Sequence, residues 1–186
     1  MKSIVKRSSR PLDQWLELFE TNIQTNQGIE RWHTIKPADY VTALVRTVDH
    51  QYVLVRQLRA VGADYTMEFP GGLLEQGETP EQSMCREIAE EAGLDVGELH
   101  YLACMTPDSW RLENMLHAFF ADSGKPIGNF RCKDGIEVLC VSGEQLRKMI
   151  LNGENISAVN MAILAHTMLR GLISPDNLNY VDQSEE

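Results

Sequence analysis

Residues 72–94 read GLLEQGETPEQSMCREIAEEAGL, and the second half of this stretch carries signals for both ends of a helix. Thr79 is a suitable N-cap, Pro80 suits the first helical position, and Gln82 completes a capping box with Thr79. Gly93 supplies the left-handed residue that ends a helix. The sequence therefore predicts a helix that begins at Pro80 and ends just before Gly93.

Three glutamates of this helix, Glu87, Glu90 and Glu91, follow the spacing i, i+3 and i+4, which places their carboxylates on one face. Like charges this close repel each other unless a positive charge lies between them. Arg86 could hold one of these carboxylates, or it could brace Glu78 across the preceding loop. The cluster suits a hard divalent cation, because Mg²⁺ takes carboxylate and carbonyl oxygens in octahedral geometry.

The residues before the helix, Glu68-Phe69-Pro70-Gly71-Gly72, read as a strand that runs into a glycine loop. Glycine allows the backbone to approach a ligand closely, so the Gly72 carbonyl is a further candidate ligand for the same ion. The predicted metal ligands are therefore Gly72, Glu87, Glu90 and Glu91.

The same residues carry a family resemblance. The positions that fit the Nudix box, G-x5-E-x7-R-E-U-x-E-E-x-G-U with U apolar, are Gly72, Glu78, Arg86, Glu87, Ile88, Glu90, Glu91, Gly93 and Leu94. A solvated glutamate-rich helix is the plain alternative, because glutamate is a good helix former. The full pattern would recur by chance on the order of 10⁻⁷ per chain of this length, which excludes that alternative.

The resemblance implies an α/β/α sandwich with a mixed β-sheet, in which Glu78 and Arg86 support the box. It implies Mg²⁺ as the cofactor, with Mn²⁺ as a possible substitute. The implied reaction is hydrolysis of a nucleoside diphosphate linked to another moiety, in which a bound metal neutralises phosphate oxygens and lowers the pKa of a water molecule.

Upstream of the box, the chain resembles the ADP-ribose pyrophosphatase branch of that family. In that branch a Gln-aromatic-Arg stretch ends a strand, and the arginine meets the substrate phosphates. Here the stretch is Gln57-Leu58-Arg59, so Leu58 replaces the aromatic residue. The resemblance implies that Arg59 and Glu68 bind substrate; a surface arginine at a strand end is the alternative for Arg59.

Downstream, Pro107 and Glu113 are counterparts of a proline and a glutamate of that branch, but Asp108 stands where a glycine is expected. Trp110 and Arg111 lie in the same loop. Trp110 could stack on a base and Arg111 could pair with phosphate or sugar, so both are candidate substrate-binding residues. A tryptophan that only closes the loop on the core is an equal alternative.

The general base has several candidates. In the resembling enzymes it is a box glutamate, here Glu90 or Glu91, or an acid on a loop after the box. The loop predicted over 122–134 contains no glutamate, although the ADP-ribose branch tends to have one there. Asp134 and Glu113 are the candidates outside the box.

The rest of the chain predicts an α+β fold, with a mixed sheet between helices. Strands are predicted over 40–48, 52–58, 65–69, 98–106, 114–121 and 135–141. Two further helices are predicted over 142–153 and 157–170, the first opened by a capping box from Ser142 to Gln145.

The N-terminal region predicts a separate element. Its apolar residues recur at three- and four-residue steps, which predicts an amphipathic helix over 11–23; they are Leu12, Trp15, Leu16, Phe19 and Ile23. Residues 28–36 alternate weakly and read as an edge strand. The predicted organisation is an N-terminal helix and edge strand over 1–36, a Nudix hydrolase domain over 37–174 and a disordered tail over 175–186.

The apolar stripe of that helix could close over its own core or against a second subunit. Because the resembling enzymes dimerise through N-terminal segments, we expect a homodimer.

Composition limits the partners. The net charge of −10 argues against a nucleic-acid-binding surface, and an anionic substrate would need a metal or local arginines. No apolar run approaches the length of a membrane span, and no signal peptide is recognisable, so we expect a soluble cytoplasmic protein. The four cysteines lack metal-binding spacing and predict reduced thiols, some of them in the core.

The predicted function is Mg²⁺-dependent hydrolysis of ADP-ribose or a related nucleoside diphosphate sugar. Two alternatives stay open. One is a Nudix hydrolase of another nucleotide, such as a GDP-sugar, a dinucleotide or a damaged nucleoside triphosphate. The other is a catalytically silent Nudix-fold domain that senses a nucleotide or builds an assembly, although silent relatives commonly lose acids that this chain keeps.

Overall fold

The structure is a computed structural model, and it describes residues 2–60, 64–154, 157–176 and 178, without the side chains of 123–125. In chain order the strands are β1 (Ser3–Pro11), β2 (Glu17–Thr25), β3 (Gly28–Lys36), β4 (Tyr40–Arg46), β5 (Tyr52–Arg59), β6 (Asp64–Glu68), β7 (Gly71–Leu73), β8 (Leu94–Met105), β9 (Leu116–Pro126) and β10 (Ile136–Val141). The helices are α1 (Pro80–Glu87), continued by a π-helical turn (Ile88–Ala92), then α2 (Gly143–Leu151) and α3 (Ala158–Leu169).

The main sheet is mixed, as predicted. Its strand order is β10-β5-β4-β9-β8, with β6 paired to β5 and β7 paired to β4. Strands β4 and β9 run parallel, from the pair Tyr40 and Leu116 to the pair Arg46 and Asp122. The other pairs are antiparallel.

Helices cover both faces of this sheet. Successive strand residues point to opposite faces, so Val53 and Leu54 of β5 lie in different cores. Val53 packs with Met84 of α1 on one face. Leu54 packs with Leu146 of α2 and Ile163 of α3 on the other. The predicted α+β class and α/β/α layering are confirmed.

The N-terminal helix predicted over 11–23 is wrong. This region is the end of β1, a turn and most of β2, which pair antiparallel. The Asp13 carboxylate accepts hydrogen bonds from the amides of Trp15 (2.6 Å) and Leu16 (2.9 Å), which stabilises the turn. A second antiparallel sheet, in the order β1-β2-β3, therefore precedes the main one.

The edge strand predicted over 28–36 is confirmed as β3, and it contacts the loop that precedes β9 of the main sheet. The Ile35 amide donates to the Arg111 carbonyl (2.7 Å), and the Glu113 amide donates to the Ile35 carbonyl (3.0 Å). The N-terminal sheet is thereby fixed to the loop that precedes β9.

Three smaller expectations change. The irregular loop predicted over 122–134 begins only at Ile127, because β9 continues to Pro126. All four cysteines are free and exposed, so the expectation of core cysteines is wrong. Of the tail predicted over 175–186, residues 177 and 179–186 lie outside the described residues. Leu178 is buried and its carbonyl accepts a hydrogen bond from the Tyr52 hydroxyl, so this residue is ordered against the core.

Among the described residues, no helix is both long and apolar enough to cross a membrane.

Candidate active site

Helix α1 begins and ends as its sequence predicts. The Thr79 hydroxyl accepts from the Gln82 amide (3.3 Å), and the Gln82 side chain accepts from the Thr79 amide (2.9 Å). After Glu87 the helix widens into the π-helical turn, which Gly93 ends with φ +66°. The sequence did not predict this widening. Single π-helical turns inside helices are frequent at functional sites, and this one carries Glu90 and Glu91.

The glycine loop lies directly against these carboxylates. A Cβ at Gly72 would stand 2.1 Å from Oε1 of Glu87, so any side chain there would displace the carboxylate. The Gly71 amide donates to Oε2 of Glu91 (3.0 Å). The short strand β7 thus brings two of the three glutamates against its backbone.

The Glu91 carboxylate lies in a buried site, where its ionised form is unfavourable. Its side chain is 5% exposed. The pKa of Glu91 is raised to about 7, chiefly by burial and also by the nearby Glu87 carboxylate, against the opposing effects of the Gly71 hydrogen bond and of the Lys133 and Arg59 charges. At Glu91, burial therefore outweighs the Gly71 hydrogen bond and the positive charges of Lys133 and Arg59.

Arg86 makes both of the contacts that the sequence left open, one with Glu78 in the preceding loop and one with the carboxylate cluster. Its Nε and Nη2 donate to the two Glu78 oxygens (2.8 and 3.0 Å). Its Nη1 donates to Oε1 of Glu87 (2.7 Å) and lies 3.6 Å from Oε2 of Glu90. The hydrogen bonds that Arg86 donates to the Glu78 and Glu87 carboxylates raise its pKa. Arg86 braces the loop and neutralises part of the cluster.

Lys133 also contacts the cluster. Its Nζ lies 2.6 Å from Oε2 of Glu90, from a loop 43 residues further along the chain. Sequence reasoning missed this residue, because Lys133 stands in a stretch without periodicity or a motif.

The donor set fits a divalent cation. Carboxylates of Glu87, Glu90 and Glu91 beside the Gly72 backbone are the oxygen ligands that Mg²⁺ prefers. Gly72 also leaves the space that Glu87 occupies. In the described part of the chain, no three acidic, histidine or cysteine side chains are already grouped as a metal site. Each of the three carboxylates instead contacts a donor of the protein: Glu87 contacts Arg86, Glu90 contacts Lys133, and Glu91 contacts the Gly71 amide.

A cavity of about 460 Å³ opens beside the cluster. Its walls come from the ends of β4, β5 and β6, from β7, from α1 and its π-helical turn, and from the start of α3. They include Glu87, Glu91, Gly72, Arg59 and Glu68, so the structure brings these predicted residues together. The other lining residues are Tyr40, Val41, Thr42, Gln57, Phe69, Gly71, Leu73, Ser157, Val159 and Asn160.

Arg59 and Glu68 form a pair on the cavity wall. Nε and Nη2 of Arg59 donate to the two Glu68 oxygens (2.9 and 2.7 Å). The Thr66 hydroxyl and the Gln57 side-chain amide (3.4 Å) also donate to the Glu68 carboxylate. Burial opposes ionisation of Glu68, but these hydrogen bonds outweigh it, and the pKa of Glu68 is lowered.

The remaining predicted residues lie elsewhere. The Glu113 oxygens accept hydrogen bonds from Arg7 and Thr34 of the N-terminal sheet. Trp110 is 72% exposed and stacks on Trp32, with ring centroids 6.1 Å apart. The structure does not bring these residues to the cavity.

Arg111 and Asp134 are both exposed, and neither lines the cavity. Arg111 uses its carbonyl to hold Ile35. Asp134 adjoins Lys133, whose ammonium contacts Glu90.

Several cavity residues had no predicted role. Tyr40, Gln57, Ser157, Val159 and Asn160 come from three separate elements. Asn160 is buried and fixes β6, since its side chain donates to the Met67 carbonyl (3.3 Å) and accepts from the Phe69 amide (3.4 Å). Of these five residues, only Gln57 belonged to a stretch that the sequence analysis recognised, Gln57-Leu58-Arg59. The positions of Ser157, Val159 and Asn160 at the cavity depend on how α3 packs against the sheet.

Comparison with known proteins identifies the family of the domain that contains this site. The NUDIX domain model matches residues 36–157, which include the box and most of the cavity wall. The ADP-sugar pyrophosphatase of Mus musculus is 36% identical over 108 residues, and the match spans half of this chain and half of the mouse protein.

Two further proteins match over most of their length. The ADP-ribose pyrophosphatase of Bacillus subtilis (strain 168) is 23% identical over 159 residues, 83% of this chain and 86% of that protein. The crystal structure of an ADP compounds hydrolase has a TM-score of 0.75 at 15% identity and covers 91% of this chain and 93% of the other. The last comparison establishes the fold.

Proposed function

The chain belongs to the Nudix family, and on that premise we propose that it hydrolyses the diphosphate bond of ADP-ribose or a related nucleoside diphosphate sugar. The observation that carries the proposal is the cavity itself. Box residues Gly72, Glu87 and Glu91 share its wall with Arg59. The carboxylates that we propose as metal ligands and the arginine that we propose as a phosphate ligand therefore line one cavity.

In the proposed reaction, water attacks one phosphorus and the other phosphate leaves with the bridging oxygen, so ADP-ribose gives AMP and ribose 5-phosphate. Members of this family generally need a divalent cation, and we propose Mg²⁺, with Mn²⁺ as a substitute. Held by Gly72, Glu87, Glu90 and Glu91, the ion would supply charge neutralisation at the phosphate oxygens and lower the pKa of water. Little covalent chemistry is required of the protein, so positioning and charge compensation dominate.

Arg59 supplies positive charge to a protein whose net charge is −10. Its planar guanidinium can bind a phosphate through two parallel hydrogen bonds, as it now binds Glu68. Glu68 holds the guanidinium in place on the cavity wall. We propose that the substrate diphosphate meets Arg59 between Glu68 and the box.

Proton transfer from the attacking water needs an acceptor within hydrogen-bond reach. Among the predicted candidates, Glu91 lines the cavity, whereas Glu90 contacts Lys133 and Glu113 contacts Arg7. We propose Glu91 as the acceptor. Asp134 stays the candidate from the loop.

Chromatographic separation of the nucleotide products tests the function. AMP formed from ADP-ribose separates from the intact substrate, and this readout contains no second enzyme that EDTA would inhibit or that would itself hydrolyse a nucleoside triphosphate. We expect the purified chain to act best on ADP-ribose or another nucleoside diphosphate sugar, and to lose activity in EDTA. Preference for a GDP-sugar, a dinucleotide or a damaged nucleoside triphosphate would move the assignment to that alternative. Equal turnover with Mg²⁺ and with EDTA would exclude the metal-dependent reaction, and no turnover of any substrate would favour a silent sensing domain.

We also propose a homodimer formed through the N-terminal sheet. Every residue of β1 is exposed. Ile4 and Ile29 at one end of this sheet are 65% and 63% exposed, and Trp15 in the β1–β2 turn at the other end is 59% exposed. Exposed apolar residues along both ends of one sheet favour an interaction surface, and a second copy of the chain would cover them symmetrically.

Light scattering at micromolar concentration tests the dimer. We expect a dimeric mass for the full chain and a shift towards the monomer for Trp15→Glu. Leu169→Glu on α3 is the matched control, because Leu169 is also exposed but lies outside the N-terminal sheet. A monomeric mass for the unchanged chain would contradict the proposal.

A further inference from the structure

The loop after β9 is fixed to the π-helical turn by three contacts. The Ile127 amide donates to the Gly93 carbonyl (2.8 Å). The ring of Phe130 occupies the space beside Gly93, where a Cβ would stand 2.2 Å from its Cγ. Lys133 Nζ then reaches Oε2 of Glu90 at 2.6 Å. Backbone, apolar and ionic contacts together direct Lys133 to the carboxylate cluster.

The Lys133 ammonium faces the whole cluster. Its hydrogen bond to Glu90 raises the pKa of Lys133, and the charges of Glu87 and Glu91 act in the same direction. Arg86 is the other cation near Glu90, but it lies 3.6 Å away and is also engaged by Glu78. Lys133 therefore supplies positive charge where the proposed metal ion would supply it.

We propose that Lys133 is a built-in counter-ion that competes with the divalent cation for Glu90. The inference rests on the proposed metal site of Glu87, Glu90 and Glu91. An ammonium in contact with Glu90 occupies one of its oxygens and repels a second cation, so the metal ion binds fully only when Lys133 moves away.

The contact is partly solvent-exposed, which limits its strength. The side chains of Lys133 and Glu90 are 48% and 39% exposed. Exposed ion pairs contribute little to stability, so competition weakens metal binding without preventing it. When Lys133 is removed, we expect the affinity for the divalent ion to rise about two- to fivefold.

The test measures metal binding without substrate. Isothermal titration with Mg²⁺, or the electron paramagnetic resonance signal of free Mn²⁺, gives the affinity of the full chain and of Lys133→Met. Lys148→Met is the matched control: Lys148 pairs with Glu144 at 2.7 Å on α2, and its loss changes the net charge equally. Lys133→Arg keeps the charge, and we expect it to bind metal much as the unchanged chain does.

A higher affinity in Lys133→Met alone supports the competition. An equal rise in Lys133→Met and Lys148→Met overturns it, because net charge then explains the effect. Unchanged or weaker binding in Lys133→Met, beside normal binding in the unchanged chain, also overturns it and leaves the proposed function intact. Absence of saturable binding in the unchanged chain and in every variant removes the metal site and the competition together.

Discussion

Arg59 and Glu68 form two parallel hydrogen bonds across the antiparallel pair β5–β6, Nε to Oε1 at 2.9 Å and Nη2 to Oε2 at 2.7 Å. The pair stands on the wall of the cavity that Glu87 and Glu91 also line. A guanidinium already oriented by a carboxylate loses less freedom when it binds a phosphate. The pair therefore links the fold of two neighbouring strands to the binding of an anionic substrate.

Loss of Arg59 should weaken catalysis. We expect Arg59→Ala to lower kcat/KM at least about tenfold, which corresponds to ~1.4 kcal/mol of lost transition-state binding. A rise in KM alone would indicate equal contact with the ground and transition states, and a fall in kcat would indicate a contact that strengthens in the transition state. Steady-state kinetics with ADP-ribose measures both.

Arg56→Ala is the control for this change. Arg56 lies in the same strand but pairs with Glu137 (3.0 Å) and stacks over Tyr65, away from the cavity wall. We expect its kinetics to stay near those of the unchanged chain. If Arg59→Ala moves neither parameter by more than about twofold, well under ~1 kcal/mol, Arg59 is only a surface residue.

Glu68 should make stability depend on pH in the acid range. Its pKa lies below the ordinary value of 4.5, so the folded chain binds this proton less readily than the unfolded chain. Its contribution to the free energy of unfolding is therefore present above about pH 4.5 and is lost as the pH falls through the lowered pKa. Urea unfolding from about pH 5 to about pH 3 should show a larger loss for the unchanged chain than for Glu68→Gln, by about 1 kcal/mol or less. An equal loss of unfolding free energy in both proteins would show that the Arg59–Glu68 pair does not contribute to stability.

The box helix could be predicted because its signals are local. Thr79, Pro80, Gln82 and Gly93 act within one or two turns of the chain, and the structure has each of them in the predicted role. The spacing of the carboxylates also follows from the helix itself. Lys133 could not be predicted, since its contact with Glu90 depends on how a distant loop packs.

The helix prediction over residues 11–23 was wrong for a different reason. Phe19 and Ile23 are four residues apart, an even step that places them on one face of a helix and also on one side of a strand. Asp13 was the missed signal, because its carboxylate accepts from two following amides and forms a turn where the helix was expected. Spacing alone could not separate the two structures.

Glu91 should be essential for turnover. We expect Glu91→Gln to lower kcat by at least about a hundredfold, because the amide neither binds a divalent ion as a carboxylate does nor accepts a proton from water. The fold should persist, since the two side chains have the same shape. Unchanged turnover at saturating Mg²⁺ would remove Glu91 from the mechanism.

The same variant should stabilise the metal-free protein at alkaline pH. The pKa of Glu91 is raised to about 7, so the folded chain resists ionisation of a group that ionises near 4.5 when unfolded. The resulting destabilisation is absent below about pH 4.5 and complete above about pH 7. In EDTA, we expect Glu91→Gln to melt at a higher temperature than the unchanged chain at about pH 8, by an amount that shrinks at about pH 5. A pH-independent difference would contradict the burial of an ionisable Glu91.

Glu113 should matter for structure more than for chemistry. Its carboxylate accepts from Arg7 of β1 and Thr34 of β3, which joins the N-terminal sheet to the loop before β9. We expect Glu113→Gln to keep kcat within about threefold of the unchanged chain and to lower the melting temperature. Asp134→Asn, measured beside it, tests the loop candidate for the base. A fall in kcat of a hundredfold or so for Glu113→Gln at unchanged stability would return Glu113 to the catalytic candidates.

Gly71 and Gly72 are adjacent, yet their substitution by alanine should have different effects. A Cβ at Gly72 would meet Oε1 of Glu87 at 2.1 Å, the end of a flexible side chain that can turn away. We expect Gly72→Ala to keep the fold but to weaken metal binding and turnover, because the Glu87 carboxylate is displaced. A Cβ at Gly71 would meet the Val41 carbonyl oxygen at 2.4 Å, and backbone cannot move aside, so Gly71→Ala should lose about 1–3 kcal/mol of stability. Gly128→Ala is the control, since nothing lies within 4 Å of its Cβ position. Thermal unfolding and Mn²⁺ binding separate the three variants, and a Gly72→Ala protein with normal metal affinity would show that the glycine does not serve the site.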